Sequence, residues 1–284
     1  MTRVEQFIRE RQYLQNAAPR TIESYHYCLP FLPNENPTQA ELTEMVVAMR
    51  QKGRTEAGCN IIIRAVNAYL HWNSGRDGRC GPGCNHPKAK KLKEAQTVMP
   101  TFNLAQIQAL IRYRPRTPFD RRLHLLTLLL LDTGCRISEA LTLRISDVDL
   151  DNLLVKLDGK GRKQRVVPFS MELRTHLFRT IKDTQPGALL FGTSNGTVML
   201  KSNTLRYVKA LCRELGFEPP ARTLHSFRHT FAVNYLRRGG STFHLQRSLG
   251  HSTLEMTRRY ANLNTEDLQA VHPSISLLKP DWRR

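Results

Sequence analysis

The sequence predicts a mainly α-helical protein with a small antiparallel β-sheet, divided into two domains. Three observations predict it. Apolar residues recur at helical spacing through the first 72 residues, a Gly-, Pro- and Lys-rich stretch interrupts from 73 to 100, and one short β-type section at 153–169 stands among further helical patterns. The expected organisation is a helical domain over 1–72, a basic linker over 73–100 and a larger domain over 101–284.

In the first domain, Val4, Phe7 and Ile8 open one apolar stripe, and Ile22, Tyr25 and Leu29 open a second. Leu42, Met45, Val46 and Met49 follow Pro37, and Ile62, Ala65, Val66, Tyr69 and Leu70 complete a set of four helices. Thr21 and Thr38 stand where N-caps are expected. The linker NSGRDGRCGPGCNHPKAKKLKEAQTVMP follows. Its lysines, Lys88, Lys90, Lys91 and Lys93, suit either a solvated connector or a segment that tracks a DNA backbone. The larger domain opens with helical patterns at 103–114 and 119–132. LLVKL (153–157), a turn at Asp158-Gly159-Lys160-Gly161 and RVVPF (165–169) then form a hairpin, with LLFG (189–192) as a candidate edge strand. Helical patterns resume near 171–184, 201–215, 225–238, 242–249, 253–260 and 264–271.

Hydrophobic residues at 40% and charged residues at 24% are ordinary for a soluble globular protein, but 43 Lys+Arg against 24 Asp+Glu leave a net +19. Such an excess favours a polyanionic partner, because neutralised phosphates release counterions. Residues 1–96 hold 14 basic and 9 acidic residues, a net +5, and the remainder holds 29 and 15, a net +14. The chemistry is therefore expected in the larger domain. No stretch approaches the ~18 apolar residues of a spanning helix, and MTRVEQFIRERQYLQ lacks a signal-peptide core. The expectation is a cytoplasmic chain in contact with DNA. In that compartment Cys28, Cys59, Cys80, Cys84, Cys135 and Cys212 read as reduced thiols. Cys80, Cys84 and His86, with His71 as a possible fourth ligand, have a spacing that could hold a metal. A structural zinc site would show two such pairs, so reduced loop cysteines are the expectation and no metal or other cofactor is assigned.

Four strings carry the chemistry: TGCRISEAL (133–141), DGKGRKQRVVPF (158–169), LHSFRHTFA (224–232) and LGHSTLEMTRRYAN (249–262). Alone, each has a bland reading. A helix-start arginine usually pairs at a surface, a basic hairpin tip is common, and a lone tyrosine usually packs. His225 and His229 at i and i+4 invite a metal, yet Arg228 between them would repel one. Together the strings describe a phosphate site. Arg136 and Arg228 offer planar forks for non-bridging oxygens. His225 and His251 can hydrogen-bond those oxygens or move protons, Lys160 can protonate a leaving oxygen, and Tyr260 can attack phosphorus. The sequence offers no Asp/Glu cluster for magnesium, no Walker loop and no GxSxG, so protein cations would stabilise the phosphorane.

These residues resemble the catalytic domain of the tyrosine recombinases, the phage-integrase and Xer group, over roughly 97–270. The resemblance rests on TGxRxxEAL, GKGxKxRxVP, LHxxRHTFA, LGHS and the trailing Tyr260. It extends to spacing: Arg136 to Lys160 is 24 residues, Arg228 to His251 is 23, and His251 to Tyr260 is nine. It implies a helical SAM-like core-binding domain over 1–72 and a mixed α/β catalytic domain. It also implies that Arg136 and Arg228 clamp the phosphate, His251 adds a hydrogen bond, His225 assists proton transfer from Tyr260, and Lys160, with Lys163 as competitor, protonates the 5′-oxygen. Glu139 would orient Arg136, while His229 and Phe231 would pack. The implied reaction is site-specific recombination through a 3′-phosphotyrosine and a Holliday junction, in a homotetramer on a DNA site with inverted repeats, with accessory DNA-binding proteins as further partners. The tail carrying Ile275, Leu277 and Leu278 would dock on a neighbouring protomer. The start of the chain leaves little room for an arm-binding domain, which suggests a simple-site enzyme: a mobile-element cointegrate resolvase or integrase, or a dimer resolver. A type IB topoisomerase-like nicking-closing enzyme and a catalytically idle DNA-binding regulator are the alternatives.

Overall fold

Short polar side chains cap the starts of six helices, those that follow Thr2, Thr38, Thr55, Asn103, Thr117 and Ser170. A computed structural model of the chain describes residues 1–75, 86–94, 100–159, 164–182, 184–251, 253–258 and 260. The chain divides into two compact units, Met1–Thr97 and Val98–Arg284.

The first unit holds α1 (Arg3–Tyr13), α2 (Pro19–Cys28), α3 (Gln39–Gln51) and α4 (Glu56–Asn73). Thr2 and Thr38 close capping boxes with Glu5 and Glu41, each hydroxyl taking a backbone N–H while the carboxylate reaches back. Thr21 is no cap. Pro19 supplies the first residue of α2, where its missing N–H costs nothing, so Thr21 falls inside the helix. Phe7, Leu42, Ile62, Ile63, Val66 and Tyr69 are buried together in one core.

Residues 86–94 differ from the solvated connector their composition suggests. Side-chain amides on α3 and α4 bracket the backbone of this segment. Asn67 donates to the Ala89 carbonyl and accepts from its N–H, both at 2.9 Å. Asn60 does the same for Leu92 at 2.9 and 2.8 Å, and Gln39 for Lys88 at 3.0 and 3.1 Å. Ala89 is buried and Leu92 packs on the core, while Lys90, Lys91 and Lys93 face solvent. Amides that satisfy both polar groups of a strap's residues replace the partners a strand would provide.

The second unit is built on α6 (Pro118–Thr133), whose Leu123, Leu126, Leu129 and Leu130 enter the larger core. It packs along α10 (Thr223–Arg237). Around them stand α5 (Leu104–Arg112), α7 (Ile137–Leu141), α8 (Met171–Ile181), α9 (Lys201–Glu214), α11 (Thr242–Leu249) and α12 (Leu254–Arg258). The helical pattern at 264–271 and the apolar tail lie outside the described residues.

One three-stranded antiparallel sheet runs in the order β1 (Val148–Asp149), β2 (Leu154–Asp158), β3 (Gln164–Pro168). Val155 pairs with Val167 and Leu157 with Arg165. Val155, Leu157 and Val167 are buried while Lys156 and Val166 are exposed, the two-residue alternation of a half-buried sheet. The expected edge strand at 189–192 is not a strand. Leu189 and Gly192 make only isolated bridges, to Arg144 and Val198. Leu190 and Phe191 are buried in the core, which accounts for the apolar run without a ladder.

Candidate active site

Two helix ends, each followed by a glycine in the left-handed region, place the polar residues of the second unit. At the end of α6, Gly134 has φ 61°, and a Cβ there would lie 2.3 Å from Phe231 Cδ1. Only glycine fits both demands. The chain then turns through Cys135 to Arg136, the N-cap of α7. At the end of α11, Gly250 has φ 64° and delivers His251. The strings TGCR and LGH are thus one local device used twice.

Arg228 joins these ends. It lies on α10, is 6% exposed, and donates from Nη1 to the Gly134 carbonyl at 3.0 Å and from Nη2 to the Leu249 carbonyl at 2.6 Å. Carbonyls at helix C-termini carry partial negative charge and suit a cation. Burial first, and then the Arg136 guanidinium, pull the Arg228 pKa down to about 10. The side chain still carries its charge at neutral pH, held where an anion would relieve it.

Arg136 is fixed by Glu139, which accepts from Arg136 Nη1 and from the Arg136 N–H, both at 2.8 Å. The same carboxylate takes a two-pronged pair from Arg165, at 2.8 and 2.7 Å. Arg165 Nε also donates to the Ser248 carbonyl at 2.8 Å. This arginine therefore ties β3, α7 and α11 together. The sequence reading named Glu139 but missed Arg165, although a signal existed. Arg165 shares the inward face of β3 with Val167, and an arginine on an apolar face needs a partner.

Burial alone would raise the Glu139 pKa, but the Arg165 and Arg136 hydrogen bonds outweigh it and hold the pKa near 2, against a usual 4.5. With the folded value depressed, the stabilisation is full above pH 4.5 and is lost as pH falls toward 2. A shift of that size corresponds to about 3 kcal/mol. Urea unfolding of the native protein is expected to show that loss between pH 5 and 2.5. Glu139→Gln is expected to be less stable at pH 7 and to lose less of its stability across the window, where Glu41, Asp120 and Asp149 still titrate; a variant that keeps the full native acid slope would assign the loss to other groups.

His251 is oriented by a 2.8 Å hydrogen bond between its Nδ1 and Thr257 Oγ1. The Thr257 carbonyl accepts from the Tyr260 N–H at 3.0 Å, so one threonine at the end of α12 sets both residues. The Tyr260 ring lies parallel to the His251 ring, 10° apart in plane and 6.2 Å between centroids. It is 7% exposed and packs in a small cluster with Ala232, Leu236, Leu245 and Leu249.

The Tyr260 hydroxyl lies 3.0 Å from Nδ1 of His229. His229 was expected only to pack, and His225 to serve the tyrosine; it is His229 that the fold hydrogen-bonds to the hydroxyl. Phe231 does pack, against Gly134. His225 sits at the surface of α10 one turn earlier. Its protonated form is disfavoured first by the protein around it and then by Lys201, Arg222, Arg228 and Arg136. The fold thus draws Arg136, Arg228, His251 and Tyr260 into one neighbourhood, with His225 at its rim. Lys160 and Lys163 lie outside the described residues.

Cys28, Cys59, Cys135 and Cys212 are buried free thiols. Burial pushes the Cys135 and Cys212 thiols up to about 11, which makes them inert. Cys80 and Cys84 lie outside the described residues; the His71 and His86 rings are 5.5 Å apart. Among the described residues no group of three His, Cys, Asp or Glu side chains could hold a metal ion, and no helix is long and apolar enough to cross a membrane.

The phage integrase family model matches residues 100–267. Tyrosine recombinase XerA of Pyrococcus furiosus is 26% identical over 273 residues, covering 94% of this chain and 91% of that protein. Tyrosine recombinase XerD of Listeria monocytogenes is 23% identical over 292 residues, covering 95% and 96%. Among solved structures, the Tn1549 transposon integrase in complex with transposon right end DNA shares the fold at TM-score 0.74 and 20% identity, covering 96% of this chain and 99% of the other. A lambda integrase tetramer bound to a Holliday junction shares it at 0.68 and 16%, covering 91% and 76%.

Proposed function

The chain belongs to the phage integrase family and is a tyrosine-type site-specific recombinase, and on that premise we propose that Tyr260 attacks a scissile phosphate gripped by Arg136, Arg228 and His251. One observation carries the reading: the buried Arg228 fork joins the two helix ends that present Arg136 and His251, beside the tyrosine hydroxyl. A phosphodiester entering there meets two guanidinium groups, one already desolvated, which suits charge developing on non-bridging oxygens. Lys160, between β2 and β3 in the sequence, protonates the departing 5′-oxygen, and His225 contacts the phosphate or relays protons at its edge. The 3′-phosphotyrosine conserves the phosphodiester's energy, so rejoining needs no ATP.

The reading extends to a homotetramer exchanging strands through a Holliday junction on inverted repeats, with accessory DNA-binding proteins as further partners, in the cytoplasm. The first unit, with its lysine-bearing strap, contributes to holding the duplex. Cointegrate resolution, integration or excision of a mobile element and dimer resolution are the tasks such an enzyme serves. Inverted repeats around a short spacer beside the gene would name the substrate.

The test traps the covalent intermediate. Nicked duplexes made from the DNA flanking the gene lose the short fragment on cleavage and cannot religate. The native protein is expected to give a denaturant-resistant adduct whose peptide carries a nucleotide on Tyr260. Sequence-specific binding with no adduct on any duplex would favour the idle regulator. Relaxation of a supercoiled plasmid lacking the site would favour the nicking-closing enzyme.

A further inference from the structure

We propose that His229 positions the Tyr260 hydroxyl and takes its proton as the phosphotyrosine bond forms. The inference rests on Tyr260 being the nucleophile. It replaces His225 in the role that the family resemblance implies for it.

The geometry comes first. A tyrosine at its ordinary pKa near 10 is only about 0.1% ionised at pH 7, so attack needs a proton acceptor at the hydroxyl. Nδ1 of His229 lies at 3.0 Å, within the distance a proton crosses. The two rings meet at 5.6 Å between centroids and 44° between planes. His251 cannot fill the role by the same edge, since its Nδ1 is engaged with Thr257 and its ring lies parallel to the tyrosine's. His229 also follows Arg228 directly on α10, so one helix fixes the acceptor relative to the guanidinium that meets the phosphate. Packing of Tyr260 against Leu245 and Leu249 leaves its ring little freedom, and the hydroxyl stays where the histidine holds it.

The electrostatics agree. Burial first, then the neighbouring His225, Arg228 and Arg222, push the His229 pKa down to about 4. The ring is therefore neutral at physiological pH, with Nδ1 able to accept from the phenol. An isolated base of that strength would be poor, but the incoming phosphate and the growing charge of the phosphorane favour the imidazolium beside them.

In the step itself, the Tyr260 Oη–phosphorus bond forms and the phosphorus–5′-oxygen bond breaks. The phenol proton moves to His229 Nδ1, and the 5′-oxygen takes a proton from Lys160. Rejoining reverses both transfers, and the imidazolium returns its proton to the tyrosine.

The test measures single-turnover cleavage on a nicked substrate from pH 5 to 9, with an ordinary 5′-oxygen or a 5′-bridging sulfur at the leaving position. Sulfur leaves without protonation. It is expected to rescue Lys160→Ala and not to rescue His229→Ala, which should be slower by roughly 10²–10⁴-fold on both substrates. His229→Asn places an amide oxygen near Nδ1 and keeps the hydrogen bond and the packing, but it cannot accept the proton. It is expected to bind the site and remain slow, with a rate that climbs about tenfold per pH unit as tyrosinate is supplied by solution. A merely structural histidine would leave the asparagine variant with the native rate and pH profile, and that result would overturn the proposal. So would rescue of His229→Ala by the sulfur substrate. Absence of any Tyr260 adduct with the native protein would instead sink the recombinase reading, so the two failures are distinguishable.

Discussion

Tyr260→Phe is expected to bind its DNA site within a few-fold of the native affinity and to form no covalent adduct on a nicked substrate. The substitution deletes one oxygen. The ring keeps its place against Ala232, Leu236, Leu245 and Leu249 and its parallel partner His251. The local loss includes the contact with His229, a neutral hydrogen bond of about 1 kcal/mol. Against that modest structural change stands complete loss of the proposed nucleophile, the phenol oxygen whose attack would form the aryl phosphodiester. Removing a group that forms a covalent intermediate abolishes the route instead of slowing it. Denaturing gels read the adduct and gel shifts read the binding, so the two quantities separate cleanly. An adduct formed by the phenylalanine protein would place the nucleophile elsewhere in the chain.

The residues that form this site were legible where a short string encodes a local backbone demand. TGCR and LGH were singled out for Arg136 and His251, and the structure adds that the left-handed Gly134 and Gly250 end helices and aim the residues that follow. Thr38 was legible for the same reason, as a cap with Glu41 three residues on. Thr21 misled because Pro19 begins α2 with no side-chain cap at all. The β2–β3 hairpin showed itself by alternation, whereas β1 has two residues and α7 five, too few for either period to appear. Contacts between distant strings were the least legible. The strap at 86–94 is held by amides 22 to 49 residues away, which composition cannot reveal. Likewise His229 meets a tyrosine 31 residues on, and reading its helix alone left it as packing.

Arg228→Ala is expected to lower single-turnover cleavage by at least about 10³-fold, or roughly 4 kcal/mol of transition-state stabilisation, and to destabilise the catalytic unit as well. Two mechanisms act at once. The proposed phosphate site loses its buried cation, and the Gly134 and Leu249 carbonyls lose their donors, a cost of about 1–3 kcal/mol for each one left dry. Arg228→Lys separates the two. It restores charge, but a single ammonium cannot reach both carbonyls and an incoming phosphate in the plane the guanidinium spans. Thermal unfolding of the lysine variant should recover part of the lost stability, while its cleavage stays down by about two orders of magnitude. The native protein should in turn gain more stability from bound site DNA than either variant, because the phosphate offsets the mutual repulsion of Arg228, Arg136 and Arg165. A lysine variant cleaving within fivefold of native would show that charge alone suffices there, and the forked geometry would then serve only to hold two helix ends together.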